Sequence, residues 1–128
     1  MSPTLFLSVA MGGAVGAVGR FLVTSAAGSW FGHGFPYGTM IVNVLGSFIL
    51  GSVLEVMALA WSPGESTRAF LVVGLLGAFT TFSTFSLDTV SLIERGNYFL
   101  AVGYVSLSFV ISILAFVLGM AIFRQLLA

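Results

Sequence analysis

Long uncharged stretches divide the chain into four hydrophobic segments. The charge-free windows are residues 1–19, 21–54, 69–87 and 96–123. A helix that crosses a bilayer needs about 20 mostly apolar residues, and these windows are long enough to supply four. The pattern predicts an all-α integral membrane protein with four transmembrane helices, at about 4–27, 37–60, 69–93 and 98–127. Clusters of Gly, Pro and charged residues separate the helices, so the loops are short and residues 1–128 form a single transmembrane domain.

Composition agrees with a membrane protein. Hydrophobic residues make up 59% of the chain and charged residues only 6%, and the mean hydropathy is +1.16. Water-soluble domains carry roughly a quarter charged residues, so this composition argues against a soluble fold. The net charge of zero leaves no basic surface for nucleic acid. With no cysteine and a single histidine, His33, the sequence offers no thiolate or histidine metal cluster, and we assign His33 no function.

The basic residues give no clear orientation. Four spans put both termini on one side of the membrane, together with Arg68 and Arg124, whereas the other side has Arg95, and Arg20 if its side chain snorkels there. Lys and Arg normally concentrate in cytoplasmic loops, and two against two gives no bias. Either a subtler signal sets the orientation or the chain inserts both ways. No basic region precedes the first segment, so we interpret it as a retained helix and not as a signal peptide.

The length of the chain favours an assembly. Four packed helices fill their own interior, so a passage for solute is more easily built between subunits. Closed two-fold dimers are the commonest assembly. If both orientations occur, the natural pair is antiparallel, in the inverted-repeat geometry of many transporters. Glycines on one face of the first helix favour close packing, although general membrane packing explains most of the 16 glycines.

Polar residues recur inside the predicted spans, where they are costly and tend to mark a site or a path. The second and fourth helices each have a polar stripe at four-residue spacing, which places its members on one face. The stripes are Thr39, Asn43 and Ser47, and Tyr104, Ser108 and Ser112. An isolated Ser or Thr can bond the carbonyls of its own helix, whereas the amide of Asn43 has more groups to satisfy. The alignment favours a polar track.

The third span has a polar cluster at its centre. Residues 77–86 read GAFTTFSTFS, with five hydroxyl residues in seven positions. Gly and Thr are poor helix formers, so a break of the helix at mid-membrane is expected if the backbone is buried in protein or lines a cavity. Freed carbonyls suit a small hard cation such as Na⁺, and freed N–H groups suit an anion. A continuous helix with back-bonded hydroxyls is the alternative.

The charges favour an anion as the solute. No acidic residue lies at mid-span, since Glu55 and Asp88 are close to helix ends, and Asp88 can pair with Arg20 on the same side of the membrane. Phe82 and Phe85 are three residues apart on one helical face. Rings presented edge-on along a narrow path would favour an anion, because the edge of the ring is positive, although ordinary packing also explains two phenylalanines.

Three segments resemble the Fluc (CrcB) family of bacterial fluoride channels. They are GGAVGAVGRF at 12–21, GTMIVNVLGSF at 38–48 and GAFTTFSTFS at 77–86. The third is the most specific, and the resemblance covers essentially the whole chain. It implies an antiparallel, dual-topology homodimer in the bacterial inner (plasma) membrane, with two pores through which fluoride leaves the cytoplasm passively. Fluoride enters a cell as HF and is trapped by dissociation, so such a leak protects the cell.

The resemblance also implies the roles of individual residues. Phe82 and Phe85 correspond to the phenylalanines that line each pore with their ring edges, and Asn43 to the amide that donates to fluoride. Gly77 and Thr80 correspond to residues whose backbone carbonyls, from both subunits, hold a structural Na⁺ at the dimer interface. The remaining residues are the fourth-helix track, Tyr104, Ser108 and Ser112, and the vestibule residues, Thr39 and Arg20.

Two departures and three alternatives qualify this interpretation. Ala78 stands where many members have a second Gly, and Asp88 stands where many have Glu, which can alter any role of that carboxylate in the track.

A small multidrug-resistance-type proton-coupled exporter is also short and four-helical, but it requires an acid in the first helix, where this chain has Arg20. A non-transporting scaffold leaves the polar stripes unexplained. An enzyme is least expected, because no nucleophile–base pair is visible. The expected partners are fluoride, membrane lipid and a second copy of the chain.

Overall fold

The chain is helical from end to end. The computed structural model describes all of residues 1–128, and four helical stretches are long and apolar enough to cross a membrane. These stretches are Pro3–Phe31, Tyr37–Leu59, Glu65–Glu94 and Tyr98–Leu127. The prediction of an all-α chain with four helices of membrane-spanning length is confirmed.

The third span is built from several segments, whereas the other three are single helices. The single helices are α1 (Pro3–Phe31), α2 (Tyr37–Leu59) and, last in the chain, α6 (Tyr98–Leu127). The third span consists of α3 (Glu65–Arg68), a π-helical segment (Ala69–Leu76), α4 (Gly77–Phe79) and α5 (Phe82–Glu94). A π-helical stretch of this length is rare.

Local chemistry explains where the spans begin and end. The hydroxyl of Ser2 accepts a hydrogen bond from the first turn of α1 at 3.3 Å, as an N-cap residue does. The helix then runs through Gly28 to Phe31, beyond the predicted end at 27, because a single glycine weakens a helix without ending it. Gly32, with φ of 81°, turns the chain towards α2. The third span begins at Glu65, earlier than the predicted 69, and an acidic first turn suits the helix dipole.

Glycines bring α1 into backbone contact with the third span. Gly12 and Gly16 are buried, and a methyl group at these positions would overlap the carbonyl oxygens of Phe70 and Leu75. Both carbonyls belong to the π-helical segment. Small residues allow this kind of close approach between membrane helices, so the first and third spans form one packed unit.

An ion pair joins the ends of α2 and α6. Arg124 donates to both carboxylate oxygens of Glu55, at 3.0 and 3.4 Å. Glu55 is buried, whereas the side chain of Arg124 is 61% exposed. One turn earlier on α2, Gly51 lies against the backbone of Phe116 on α6. The pair therefore fixes the register of two helices that already touch closely.

The outer surface is apolar. Only 18 of the 128 residues are buried, so most large hydrophobic side chains point away from the chain. Phe99, for example, is 90% exposed. A surface of this kind is suited to lipid or to another copy of the chain and not to water.

Candidate functional site

A cavity of about 280 Å³ opens on the surface of the chain beside the junction of α4 and α5. We call it the first cavity. Six of the ten side chains that line it are polar and none is charged. The lining residues are Asn43, Ser47, Thr80, Thr81, Phe82, Phe85, Ser108, Phe109, Ser112 and Ile113. Three spans therefore contribute to one site: α2, the third span and α6.

The third span loses its helical backbone at two threonines. Thr80 and Thr81 are extended, with ψ of 159° and 116°, between the last residue of α4 and the first of α5. The hydroxyl of Thr80 donates to the carbonyl of Leu76 at 3.1 Å. The hydroxyl of Thr81 accepts from the N–H of Thr84 at 3.1 Å and so caps α5. One threonine thus closes the first helix and the next begins the second.

Asn43 on α2 holds these extended residues in place. Its Nδ2 donates to the carbonyl of Thr81 at 3.1 Å, and its Oδ1 accepts from the N–H of the same residue at 2.7 Å. The amide therefore replaces the hydrogen bonds that the interrupted helix cannot make. An amide nitrogen has two hydrogens, so one donor of Asn43 is left for an occupant of the first cavity.

Aromatic rings form one wall of the site. The ring centroids of Phe82 and Phe85 are 5.6 Å apart, with the planes tilted by 50°. Phe85 in turn lies 5.2 Å from the ring of Tyr104. Phe82 is 79% exposed, so a single chain leaves this part of the wall uncovered.

Two hydroxyls of α6 have no partner. The Oγ atoms of Ser108 and Ser112 are buried and make no hydrogen bond, although buried polar groups nearly always have one. Hydroxyls elsewhere in the chain bond to their own helix: Ser52 donates to the carbonyl of Phe48 and Thr89 to that of Phe85, both at 2.8 Å. The back-bonding alternative is therefore found at other positions and not in this stripe, which leaves both donors free for the first cavity.

A second cavity, of about 180 Å³, lies where the end of α1 and the start of α2 meet the middle of α5. Its lining residues are Thr24, Gly28, Gly32, His33, Phe35, Pro36, Tyr37, Gly38, Thr39 and Asp88. Only two of them are hydrophobic. Thr39 is one helical turn from Asn43 on α2, so the polar stripe of that helix runs from this cavity into the first one.

Tyr104 stands between the two cavities. It has no exposed surface, and its hydroxyl donates to Oδ2 of Asp88 at 3.1 Å. Its ring packs against Phe85, which lines the first cavity, and edge-on at 5.5 Å against Phe35, which lines the second. The buried ring of Tyr104 thus contacts one lining residue of each cavity.

Sequence comparison places the chain among known proteins. Residues 7–120 match the family model described as "CrcB-like protein, Camphor Resistance (CrcB)". The chain belongs to the CrcB family. The resemblance drawn from the three motifs is confirmed, and four helices of spanning length in a channel family make the chain a multi-pass membrane protein.

Curated members of the CrcB family resemble the chain over nearly its whole length. The "Fluoride-specific ion channel FluC" of Nitrobacter winogradskyi is 48% identical, over 97% of this chain and 98% of the relative. The protein of the same name from Rhodospirillum centenum is 46% identical over the same shares. That of Agrobacterium fabrum is 48% identical, over 92% of this chain and 94% of the relative.

The arginine of the first CrcB motif is differently placed from the expectation. Arg20 does not form the pair with Asp88 that the sequence left open as a structural alternative: Nε of Arg20 donates to the carbonyl of Ala78 at 3.1 Å. Because α1 continues to Phe31, Arg20 lies near the middle of the helix. There its guanidinium reaches the last turn of α4, where a cation complements the helix dipole.

The structure distributes the CrcB site residues predicted from the sequence between the two cavities. Six of them line the first cavity: Asn43, Thr80, Phe82, Phe85, Ser108 and Ser112. Thr39 lines the second cavity and Tyr104 separates the two. Arg20 lines neither.

The two residues expected to offer carbonyls lie at the interruption of the third span. The carbonyls of Gly77 and Thr80 accept no hydrogen bond from the segment that follows. Gly77 is exposed and Thr80 is half-buried. Thr81 had no predicted role, although a threonine directly before the first residue of a helix is an N-cap signal.

Proposed function

We propose that this chain forms a fluoride-selective ion channel that passively exports fluoride from the cytoplasm and so protects the cell from fluoride toxicity. The observation that supports it best is the first cavity, which combines two partnerless hydroxyls, a free amide donor and two phenylalanine rings without any charged group. This chain belongs to a family whose curated relatives are named fluoride-specific ion channels. The proposal involves no chemical step.

The lining explains how a small anion is favoured. An anion that leaves water must replace its hydration with donors, and the hydroxyls of Ser108 and Ser112 and the free N–H of Asn43 are such donors. The edges of Phe82 and Phe85 offer positive partial charge where no proton donor is available. Because none of these groups is ionised, the ion is held weakly enough to leave, as conduction requires.

The two cavities define the route of the ion. Fluoride reaches the second cavity from water, passes Tyr104 along the polar stripe that begins at Thr39, and enters the first cavity. Tyr104 has no exposed surface and donates to Asp88, so its side chain moves when an ion passes. Arg20 lines neither cavity, but it is half-buried and uses only one of its five N–H donors, on Ala78, so we keep it as a residue that adds positive potential along the route.

A second copy of the chain completes the pore. The first cavity is open on one side, and Phe82 is largely exposed there. A polar cavity with extended backbone is tolerated in a bilayer only where protein or water covers it. Because the basic residues give no preferred orientation, the second copy is inserted the opposite way. In such an antiparallel homodimer two pores form, and the interruption of the third span lies at mid-membrane.

A structural Na⁺ fits between the two copies. The carbonyls of Gly77 and Thr80 are free of hydrogen bonds, and neutral oxygen ligands suit hard cations. Two carbonyls are fewer than such a cation takes, so both chains contribute. Gly77 and Thr80 of each chain would hold the ion through their carbonyls, and a bound cation would supply positive charge there. Asn43 and the cap formed by Thr81 keep the Thr80–Thr81 backbone extended.

The channel belongs to the inner membrane of a bacterium, in contact with lipid on its apolar outer surface. The proton-coupled exporter has less support from the geometry. It would need a buried carboxylate free to bind a cation in turn with a proton, whereas Glu55 is paired with Arg124 and Asp88 accepts from Tyr104.

Ion efflux from liposomes tests the proposal. Purified protein is reconstituted into vesicles loaded with potassium fluoride or potassium chloride, and efflux is started with valinomycin and followed with ion-selective electrodes. We expect rapid loss of fluoride and retention of chloride, relative to protein-free vesicles. Fluoride retention equal to that of protein-free vesicles would overturn the proposal, and equally fast loss of chloride would remove its selectivity.

A further inference from the structure

The interruption of the third span meets α2 at a glycine. Gly46 is buried, and a Cβ added there would overlap the Cγ2 methyl group of Thr80 and lie 3.2 Å from Cδ2 of Phe79. Gly46 lines neither cavity, so it does not touch an ion in the proposed route. The space left by its missing side chain is filled by the methyl group of Thr80.

The side chain of Thr80 cannot turn out of this space without a loss. Its hydroxyl donates to the carbonyl of Leu76 at 3.1 Å, so one branch of the side chain is bonded while the other, the methyl group, is directed at Gly46. A β-branched side chain has few favourable rotamers, and a rotation that withdraws the methyl group breaks the bond to Leu76. A larger residue at position 46 therefore moves the backbone of Thr80.

The helix α2 is held on both sides of this contact. Before Gly46, a Cβ added at Gly38 would lie 2.8 Å from Cα of Thr24 on α1. After it, Gly51 lies against the backbone of Phe116 on α6. Backbone contacts yield less than the end of a flexible side chain, so a displacement caused at position 46 falls on the interruption and not on α2.

We infer that Gly46 is a positioning residue of the pore: the space beside it sets how closely the Thr80–Thr81 backbone approaches α2. The inference rests on the proposed channel function. Asn43 lies one turn earlier on the same face of α2 and exchanges two hydrogen bonds with the backbone of Thr81, at 3.1 and 2.7 Å. A side chain at position 46 lengthens these bonds and shifts Thr80, which lines the first cavity.

Two substitutions test this together, because Thr80→Ser removes the methyl group that Gly46→Ala would strike and keeps the hydroxyl bonded to Leu76. Overlapping carbons must separate by at least about 1 Å to reach van der Waals contact, and a misplacement of about 1 Å can cost an enzyme about a hundredfold. Gly46→Ala should therefore lower fluoride efflux per dimer at least about tenfold. In the Thr80→Ser background the same substitution should lower it less than about threefold. Comparison within each background cancels any effect of Thr80→Ser itself.

Gly51 provides the matched control. It is also a buried glycine of α2, but Gly51→Ala would overlap the backbone of Phe116, away from the interruption. Its effect on efflux should be the same in both backgrounds, because Thr80→Ser relieves nothing there. Efflux is divided by the amount of dimer recovered from size-exclusion chromatography, so that lower stability alone does not change it.

Sodium binding gives a second readout. Equilibrium dialysis of the purified dimer against radioactive Na⁺ measures it without transport. Gly46→Ala should weaken binding at least about tenfold, as loss of the groups that orient metal ligands usually does, and less in the Thr80→Ser background.

An equal effect of Gly46→Ala in the two backgrounds, or efflux at the unmodified rate in Gly46→Ala, would overturn the inference and leave the channel function intact. So would a Gly46→Ala chain that forms no dimer in either background. Loss of fluoride efflux in the unmodified protein would instead count against the proposed function, and absence of Na⁺ binding there would count against the sodium site alone.

Discussion

At the scale of single residues, the aromatic wall gives the sharpest prediction. Phe82→Ile and Phe85→Ile preserve an apolar side chain but remove the positive ring edge. We expect each to lower fluoride efflux at least about tenfold, the equivalent of roughly 1.4 kcal/mol in the barrier, while the protein elutes at the same size. Phe99→Ile is the control, because Phe99 is 90% exposed and lines neither cavity. Efflux at the unmodified rate in both pore variants would remove the rings from the mechanism.

Asn43 has two roles that substitutions can separate: it holds the backbone of Thr81, and it offers an N–H donor to the ion. Asn43→Ala removes both hydrogen bonds to Thr81 and the donor for the ion, and a bond to a charged partner is worth about 1–3 kcal/mol, so fluoride efflux should fall about tenfold or more. Asn43→Asp keeps the acceptor for the Thr81 N–H but cannot donate when ionised. We expect it to be as inactive as Ala in the liposome assay. Near-normal efflux in the Asp variant would make Asn43 a purely structural residue.

The sequence identified the polar residues inside the membrane spans that form the site, but it did not predict all of their hydrogen-bond partners. The four-residue spacing was sufficient to put Asn43, Ser108 and Ser112 on faces that meet in one cavity. The possible pair of Arg20 with Asp88 is not formed, because chain position fixes the depth of a side chain in a membrane and leaves open the direction in which it points. Arg20 turned out to face α4 and its free carbonyl at Ala78.

At the scale of elements, the contact between α2 and α6 depends on an asymmetric ion pair. Arg124→Gln leaves the buried carboxylate of Glu55 without its partner, whereas Glu55→Gln leaves an arginine that is 61% exposed and can be hydrated. Removing the partner of a buried charge is destabilising, whereas exposure weakens the contribution of the pair, so we expect Arg124→Gln to lower the free energy of unfolding more than Glu55→Gln does.

Thermal unfolding in detergent, followed by size-exclusion chromatography of heated samples, measures this difference. Fluoride efflux per folded protein should be unchanged in both variants, because neither residue lines a cavity. A larger loss of stability for Glu55→Gln than for Arg124→Gln would contradict the account of the pair.

The hydropathy pattern was sufficient to predict the four membrane-spanning helices, but it did not predict the internal structure of the third span. Charge-free windows suffice to predict four helices, because the hydrocarbon core sets their length. The π-helical segment has a nearly uniform apolar sequence, AFLVVGLL, so no periodicity distinguishes it from an α-helix. The segment is in close contact with Gly12 and Gly16 of α1, and an apolar pattern does not reveal a tertiary contact of this kind.

At the scale of the whole molecule, the proposed sodium site predicts a cation-dependent dimer. The dimer should survive detergent and heat better in Na⁺ than in K⁺ or N-methyl-D-glucamine, because only a small hard cation suits the carbonyls of Gly77 and Thr80. Size-exclusion chromatography after exchange of the cation measures this without reference to transport. Equal dimer stability in all three cations would argue against the site.

The assembly is the feature that a single chain reveals least. Balanced basic residues left both orientations open, and the open side of the first cavity, with the exposed Phe82, indicates only that something must cover it. The antiparallel arrangement stays a prediction, suggested by the balanced basic residues and implied by the resemblance to the family, since hydropathy and spacing describe each helix separately and say little about a partner.

The most direct test of a fluoride-selective pore is the reversal potential of its current. Reconstituted protein is recorded in a planar bilayer with unequal fluoride on the two sides and chloride in excess. The account predicts currents that reverse at the equilibrium potential of fluoride, in the presence of Na⁺ and without any proton gradient. Currents that reverse at the potential of chloride, of the cation or of protons would contradict it.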